Sequence, residues 1–240
     1  MGAHWVFSEL QEGVLERRYK RFLADVVLPS GAKVVAHCPN TGSMTGCQQA
    51  GSRVWLSHNA NPKRKLRWTL ELVETPGGLV CVHSALANKV VAAALQQRLI
   101  PDLSDFSTLR AEVATGQRSR LDFRLEGGPQ AIWVEVKAVS WCAGDGLGLF
   151  PDAVSVRATR HLGELVDLIS PQSRAALVFC AFHAGISRIA PAEDIDPEYA
   201  RALAQAVAKG LEVYGLAVEV GVDGLRATQP LPLEGISGVD

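Results

Sequence analysis

Ser119-Arg120-Leu121-Asp122-Phe123-Arg124-Leu125, the turn Glu126-Gly127-Gly128-Pro129, and Ile132-Trp133-Val134-Glu135-Val136-Lys137-Ala138-Val139 form two strand-like runs joined by a short reversal. Side chains alternate faces along a strand, so Trp133, Glu135 and Lys137 share one face while Val134 and Val136 take the other. The Gly-Gly-Pro turn predicts that the first run folds back as a hairpin partner, bringing Asp122 near Glu135 although thirteen positions separate them. Two carboxylates side by side repel each other and are relieved by a divalent cation between them. A lysine beside them can hold a water or a developing oxyanion, which completes the minimum set for metal-assisted hydrolysis of a phosphodiester. The competing reading is an exposed strand face, where Glu-x-Lys is common.

The run before this hairpin adds to the same region. Glu112 lies in Leu109-Arg110-Ala111-Glu112-Val113, ten residues ahead of Asp122, with a turn expected at Gly116. Three successive strands would then each deliver an acid, or an acid and a lysine. Downstream, the loop carrying Gly144, Gly146 and Gly148 leads to Phe150-Pro151-Asp152-Ala153, where Asp152 is either a further metal ligand or a turn acid. His161 follows on a predicted helix and faces either the sheet or solvent.

At 240 residues the chain holds one large domain or two small ones. Hydrophobic residues make up 48% and charged residues 20%, as in an ordinary soluble globular protein. The net charge of −1 is unevenly spread: residues 1–82 carry ten Lys and Arg against six Asp and Glu, +4, leaving −5 for the remainder. A basic front and an acidic back suggest two modules, with an anionic partner at the front. Five scattered cysteines without a Cys-x-x-Cys pair argue against a disulfide framework or a zinc site and suit a reducing cytoplasm. No secretory signal is visible, and no apolar run is long enough to span a bilayer.

Residues 1–82 read as about five short strands separated by Gly, Pro and Asn turns, a pattern that fits an OB-like β-barrel, with a small sandwich as the alternative. Val14–Leu28 is expected as a long, bent first strand. From Ser84 the pattern changes. Ser84 is the expected cap of a helix over Ala85–Arg98, and the three strand-like runs follow it. Helical periodicity returns over Arg160–Ile169, then a buried strand over Ala175–Ala181. Asp196 with Pro197 starts another helix that Gly210 closes. A strand over Leu211–Val220 precedes a Pro/Gly-rich tail expected to be loosely held. Residues 83–240 therefore predict a mixed sheet flanked by helices.

Several blocks together are similar to one family. His37-Cys38-Pro39-Asn40-Thr41-Gly42-Ser43-Met44, Asn61-Pro62-Lys63-Arg64-Lys65-Leu66, Ser119-Arg120-Leu121-Asp122-Phe123, Val134-Glu135-Val136-Lys137 and Phe150-Pro151-Asp152-Ala153, with Arg157 and His161-Leu162, resemble the sugar fermentation stimulation (SfsA) family over nearly the whole chain. The resemblance implies an N-terminal OB-like domain, a C-terminal domain related to PD-(D/E)xK nucleases, and DNA binding. The nuclease motif falls on Asp122, Glu135 and Lys137, with Glu112 as the extra upstream acid. Leu121 stands where the motif's name would place proline.

Two basic clusters bear on nucleic acid. Lys63-Arg64-Lys65 with Arg67 adjoins Trp68, and Arg17, Arg18 and Lys20 surround Tyr19. Cations interleaved with aromatic rings suit a nucleic-acid backbone and its bases; the alternatives are a solvated hairpin tip and core aromatics. Pro39–Gly46 lacks the Gly-Lys-Ser/Thr ending of a nucleotide-binding loop, and no Gly-x-Ser-x-Gly elbow is present. The expectation is a cytoplasmic, DNA-binding protein with little sequence specificity and a Mg²⁺- or Mn²⁺-dependent phosphodiesterase site. Asp122, Glu135, Lys137 and Glu112 would be catalytic, and Glu112, Asp122, Glu135 and Asp152 would ligate the metal. The alternative is a non-catalytic DNA-binding regulator, and a sugar-processing enzyme with paired carboxylates is a third class.

Overall fold

The computed structural model describes residues 3–115 and 120–236, so the turn expected at Gly116 and the first residue of the quoted stretch, Ser119, lie outside the described residues. The first strand, β1 (Ala3–Val6), does not join the barrel. It pairs antiparallel with the last strand of the chain, Ala3 opposite Ala227. Trp5, Phe7 and Leu10 pack there against the core of the second domain, so the opening residues of the expected barrel segment belong to the other sheet.

The barrel is built from β2 (Leu10–Tyr19), β3 (Leu23–Val27), β4 (Lys33–His37), β5 (Arg53–His58), β6 (Trp68–Thr75) and β7 (Gly78–Cys81). Their order is β4-β3-β2-β5-β6-β7, and a parallel pairing of β4 with β6 at Ala36 and Trp68 closes the ring. Alternation fills its interior with Leu15, Ala24, Val26, Ala36, Val54, Leu56 and Leu70. The single long strand expected over Val14–Leu28 is a hairpin. Tyr19 pairs with Leu23 across a turn in which Lys20 (φ 49°) and Arg21 (φ 65°) take the left-handed conformation usually left to glycine or asparagine.

The second domain continues with α1 (Leu86–Gln96), β8 (Thr108–Ala114), β9 (Arg120–Glu126), β10 (Ala131–Val139), β11 (Trp141–Cys142), β12 (Leu147–Phe150), α2 (Val156–Asp167), β13 (Ser173–Ala181), β14 (Arg188–Pro191), α3 (Pro197–Ala208), β15 (Glu212–Gly221) and β16 (Gly224–Leu231). A seven-stranded mixed sheet runs β1-β16-β15-β13-β10-β9-β8, with β13 parallel to both β10 and β15. Over Gly224–Leu231 the tail expected to be loose is the strand β16, paired on both sides, while its last four residues, 237–240, lie outside the described residues. One face of the sheet packs Val134, Val136 and Val178 against Val90, Val91 and Leu95 of α1. The other packs Trp133, Leu177 and Phe179 against Leu162 and Leu165 of α2 and Tyr199 and Leu203 of α3. Trp55, Leu72 and Cys81 from the barrel are buried in the α1 cluster, so the two domains share part of one core.

Helix starts divide into one expected cap and one correction. Asp196 caps α3 through its Oδ1, which accepts from the Tyr199 amide at 3.0 Å. Ser84 does not cap α1: the capping position is Ala85, without a side-chain bond, and the Ser84 hydroxyl donates instead to the Pro39 carbonyl at 3.1 Å. It ties the helix start to a barrel loop. Among the described residues no helix is long and apolar enough to cross a membrane.

Candidate active site

The floor of the site lies where the β9–β10 hairpin comes apart. The ladder pairs Leu125 with Ile132, Arg124 with Trp133 and Phe123 with Val134, and then stops. The next pair would be Asp122 with Glu135. There Asp122 substitutes its side chain for backbone: Oδ2 accepts from the Val136 amide at 2.7 Å, and Oδ1 accepts from the Asn88 amide of α1 at 2.6 Å. The period of two along β10 directs Glu135 and Lys137 to the α2 side, and the Lys137 ammonium donates to Glu135 Oε1 at 2.6 Å.

His161 completes the arrangement, and its functional alternative was left open by the sequence. Arg157 and His161 lie four residues apart on one face of α2. Ser155 caps this helix by accepting from the Ala158 amide, and the Ser155 amide donates to the capping Asp196 at 2.8 Å. His161 is buried with Nδ1 at 2.6 Å from Glu135 Oε1. Arg157 Nε donates to His161 Nε2 at 3.4 Å, so that nitrogen accepts and Nδ1 carries the proton given to Glu135.

These contacts push the two carboxylates apart in acidity. Burial first, and the charge of Glu135 second, raise Asp122 from 3.8 to about 6. Burial would raise Glu135 as well, but the hydrogen bond from His161 and the charge of Lys137 outweigh it and hold this carboxyl below the ordinary value.

Above the floor stands a cavity of about 650 Å³ between the two domains. Asp122, Glu135, Lys137, Asp152 and Arg157 line it from the second domain, and Arg21, Asn40, Thr41 and Gly42 from the barrel. The barrel loop that roofs it is fastened from both sides. Arg18 Nη2 donates to the carbonyls of Arg21 (2.7 Å), Asn40 (2.9 Å) and Gly42 (2.9 Å), and its Nη1 to Ser43 (3.2 Å). Hydrogen bonds from a charged group are each worth about 1.5–3 kcal/mol, so a roof held by several of them is a fixed wall. From the other domain, Asp152 Oδ2 accepts from the Met44 amide at 2.7 Å. A Cβ at Gly42 would meet Asp152 Oδ1 at 2.5 Å, so only glycine allows this approach.

The structure thus brings Asp122, Glu135 and Lys137 together and redistributes the rest. Glu112 stands across from Asp122 in sequence register, but the ladder skips it, pairing Ala111 with Phe123 and Val113 with Leu121. Its φ of 55° breaks the alternation, and its exposed carboxylate pairs at 3.8 Å with Arg120. Glu112 is outside the cavity. Asp152 lines the cavity but is committed to the roof loop. Arg18, expected on a nucleic-acid surface, is half-buried and holds that loop. Arg17 is spent on Asp25 at 2.7 Å and lies over the Tyr19 ring, while Lys20 sits exposed in the turn. Lys63, Arg64, Lys65 and Arg67 are all exposed between β5 and β6, and none forms an ion pair among the described residues.

A divalent cation has a two-carboxylate donor set here. Among the described residues no three His, Cys, Asp or Glu side chains are assembled around one point. Mg²⁺ does not need three: it is commonly held by one or two carboxylates, with water and substrate phosphate completing the shell. Burial first and the Glu135 charge second disfavour the ionised form of Asp122, and a cation between the two carboxylates would relieve that cost, so the pair fits such an ion.

Residues 17–82 match the family described as the SfsA N-terminal OB domain, and residues 85–224 match the sugar fermentation stimulation protein RE domain. The chain is 48% identical over 238 residues to a sugar fermentation stimulation protein homolog of Chromohalobacter salexigens, covering 95% of this chain and 94% of that one. A homolog from Marinomonas is 45% identical over 94% of this chain and 88% of its own length. Among solved structures, Pyrococcus furiosus SfsA in complex with Ca²⁺ superposes with a TM-score of 0.87 at 26% identity, covering 98% of this chain and 99% of that one.

Proposed function

The chain belongs to the sugar fermentation stimulation protein family, and from that premise we propose that its interdomain cavity is a divalent-metal-dependent phosphodiesterase site acting on DNA with little sequence preference. The observation that carries this reading is the floor itself: Asp122 and Glu135 where the hairpin opens, with the Lys137 ammonium 2.6 Å from Glu135. The Ca²⁺ bound by the Pyrococcus relative supports a divalent ion as cofactor.

Asp122 and Glu135 would hold Mg²⁺ or Mn²⁺. Bound there, the ion supplies Lewis acidity toward a phosphoryl oxygen and toward water. The remaining work falls to side chains on the floor. Lys137, positioned by Glu135, orients the attacking water or stabilises charge on the pentacovalent phosphorus. His161 fixes the direction of the Glu135 carboxylate by donating from Nδ1, with Arg157 setting its tautomer. Asn88 and the Val136 amide do the same for Asp122. Away from the site, the unpaired tip of Lys63, Arg64, Lys65 and Arg67 supplies sequence-independent attraction for phosphates. The five free thiols support a reducing, cytoplasmic setting.

The test is cleavage of end-labelled single- and double-stranded DNA by purified protein with Mg²⁺ or Mn²⁺, beside Glu135→Ala and Lys137→Ala. Metal-dependent products from the wild type and none from the variants support the reading. No products from any substrate with either ion would replace it with the non-catalytic DNA-binding regulator.

A further inference from the structure

We infer that the cavity admits a nucleic-acid strand only as a single strand, gripped through its phosphates by Arg21 and Arg157. This deepens the phosphodiesterase reading and rests on it for the identity of the floor, while the binding mode comes from different residues. Arg21 enters from the barrel turn and Arg157 from α2, so the two cations reach the cavity from opposite domains. Both are exposed, and neither forms an ion pair among the described residues. Among the described residues the Arg21 guanidinium has only a 3.4 Å contact to the Thr41 carbonyl, and that of Arg157 only its contact to His161. Guanidinium groups without an acid, beside a floor that works on phosphorus, suit two phosphates of one backbone.

Size and rigidity decide between one strand and two. A volume of about 650 Å³ lies in the range that encloses a small ligand, about 300–1,000 Å³, whereas the major groove of a duplex alone is about 12 Å wide. Glu135 lies at the bottom with a side chain 5% exposed, so a phosphate has to enter the cavity to meet it. The roof cannot swing aside cheaply, because Arg18 and Asp152 hold it through several charge-assisted hydrogen bonds. A duplex would therefore have to open before its backbone reached the floor.

Next in the chain to the cavity-lining Arg21 stands an exposed aromatic side chain. Phe22 follows Arg21 in the turn, is 46% exposed, and is held beside the roof loop by the hydrogen bond from the Cys38 amide to its carbonyl. Val154, which lines the cavity from the facing domain, is 69% exposed. An aromatic ring beside cations is the usual stacking platform for single strands, and it has no use for bases still paired.

Fluorescence anisotropy with labelled oligonucleotides tests this, using the full chain in EDTA and again in Ca²⁺. The single strand should bind at least about tenfold tighter than a blunt duplex of the same sequence. Arg21→Ala and Arg157→Ala should each weaken strand binding about five- to tenfold and reduce the log–log salt slope by about 0.7 per lost phosphate contact. Phe22→Ala should weaken the strand and leave the residual duplex binding unchanged. Unchanged melting temperatures, and recovery in Arg21→Lys, separate these effects from misfolding. Equal or tighter duplex binding overturns the inference, as does wild-type binding by both arginine variants or equal competition by a mononucleotide. Strand-selective binding without cleavage in Mg²⁺ or Mn²⁺ removes the phosphodiesterase reading and leaves this one standing; cleavage of intact duplex without strand selectivity does the reverse.

Discussion

On the floor of the cavity, Lys137 and His161 both meet Glu135 Oε1 at 2.6 Å, and Asp122 is left half-relieved beside them. On the roof, Arg18 reaches backbone carbonyls and Asp152 a backbone amide. On the floor, burial first and the charge of Glu135 second raise Asp122 and leave it responsive to a cation. The roof spends its charges on peptide groups, which fixes shape. Residue type alone does not separate these roles, since Asp122 and Asp152 line the same cavity and Arg18 lies three positions from Arg21. What separates them is whether a second charge of the same sign lies beside the group: the Glu135 carboxylate acts on buried Asp122, whereas Arg18 and Asp152 meet peptide groups.

The largest effect that tests this contrast is on the floor. Lys137→Ala and Glu135→Ala should lower the rate of DNA cleavage by about 10²–10⁴-fold, read from initial rates on labelled DNA. A variant retaining near wild-type rate would make the floor structural. The roof comes next. Arg18→Ala should lower stability in urea by about 2–4 kcal/mol, because four carbonyl contacts are lost at once. Stability within experimental scatter of the wild type would mean the loop holds itself.

Asp122 gives a pH signature of intermediate size. Its carboxyl is raised in the folded protein, so its contribution is fully present below the ordinary value of 3.8 and is lost as pH rises through about 6. Metal-free protein should therefore lose about 1–3 kcal/mol from this group between pH 4 and 7, measured by urea melts. Asp122→Asn should remove that slope, and adding Mg²⁺ to the wild type should flatten it. An identical slope in both proteins would place the titrating group elsewhere. The smallest effect on stability belongs to the basic tip. Joint replacement of Lys63, Arg64 and Lys65 by alanine should leave stability within about 0.5 kcal/mol. It should still reduce the log–log salt slope of DNA binding by about 0.7–0.9 per lost contact.

Strand periodicity made the floor legible. Trp133, Glu135 and Lys137 alternate with Val134 and Val136, and Gly127-Gly128 marks the reversal that returns the chain to Asp122. The OB-like barrel was legible from turn residues for the same reason. Four features were hidden because they depend on backbone conformation or distant contacts. The β2–β3 hairpin turns at Lys20 and Arg21, which are not turn-forming residues, so two strands read as one. Glu112 has the right spacing for the floor, but its positive φ takes it out of the ladder. Asp152 and Arg18 act on a loop 108 and 22 to 25 residues away, a distance over which local pattern carries no information. The strand β16 was hidden by Pro230 and the glycines around it, and pairing with β15 and β1 supplies the order that local propensity does not.

In the proposed reading Asp122 and Glu135 together form the cation site. Isothermal titration of the metal-free chain with Mn²⁺ tests it most directly, alongside Asp122→Asn, Glu135→Gln and Glu112→Gln. A single saturable site is expected in the wild type, lost in Asp122→Asn and Glu135→Gln and kept in Glu112→Gln. No binding by the wild type, or binding that survives Asp122→Asn and disappears in Glu112→Gln, would contradict it.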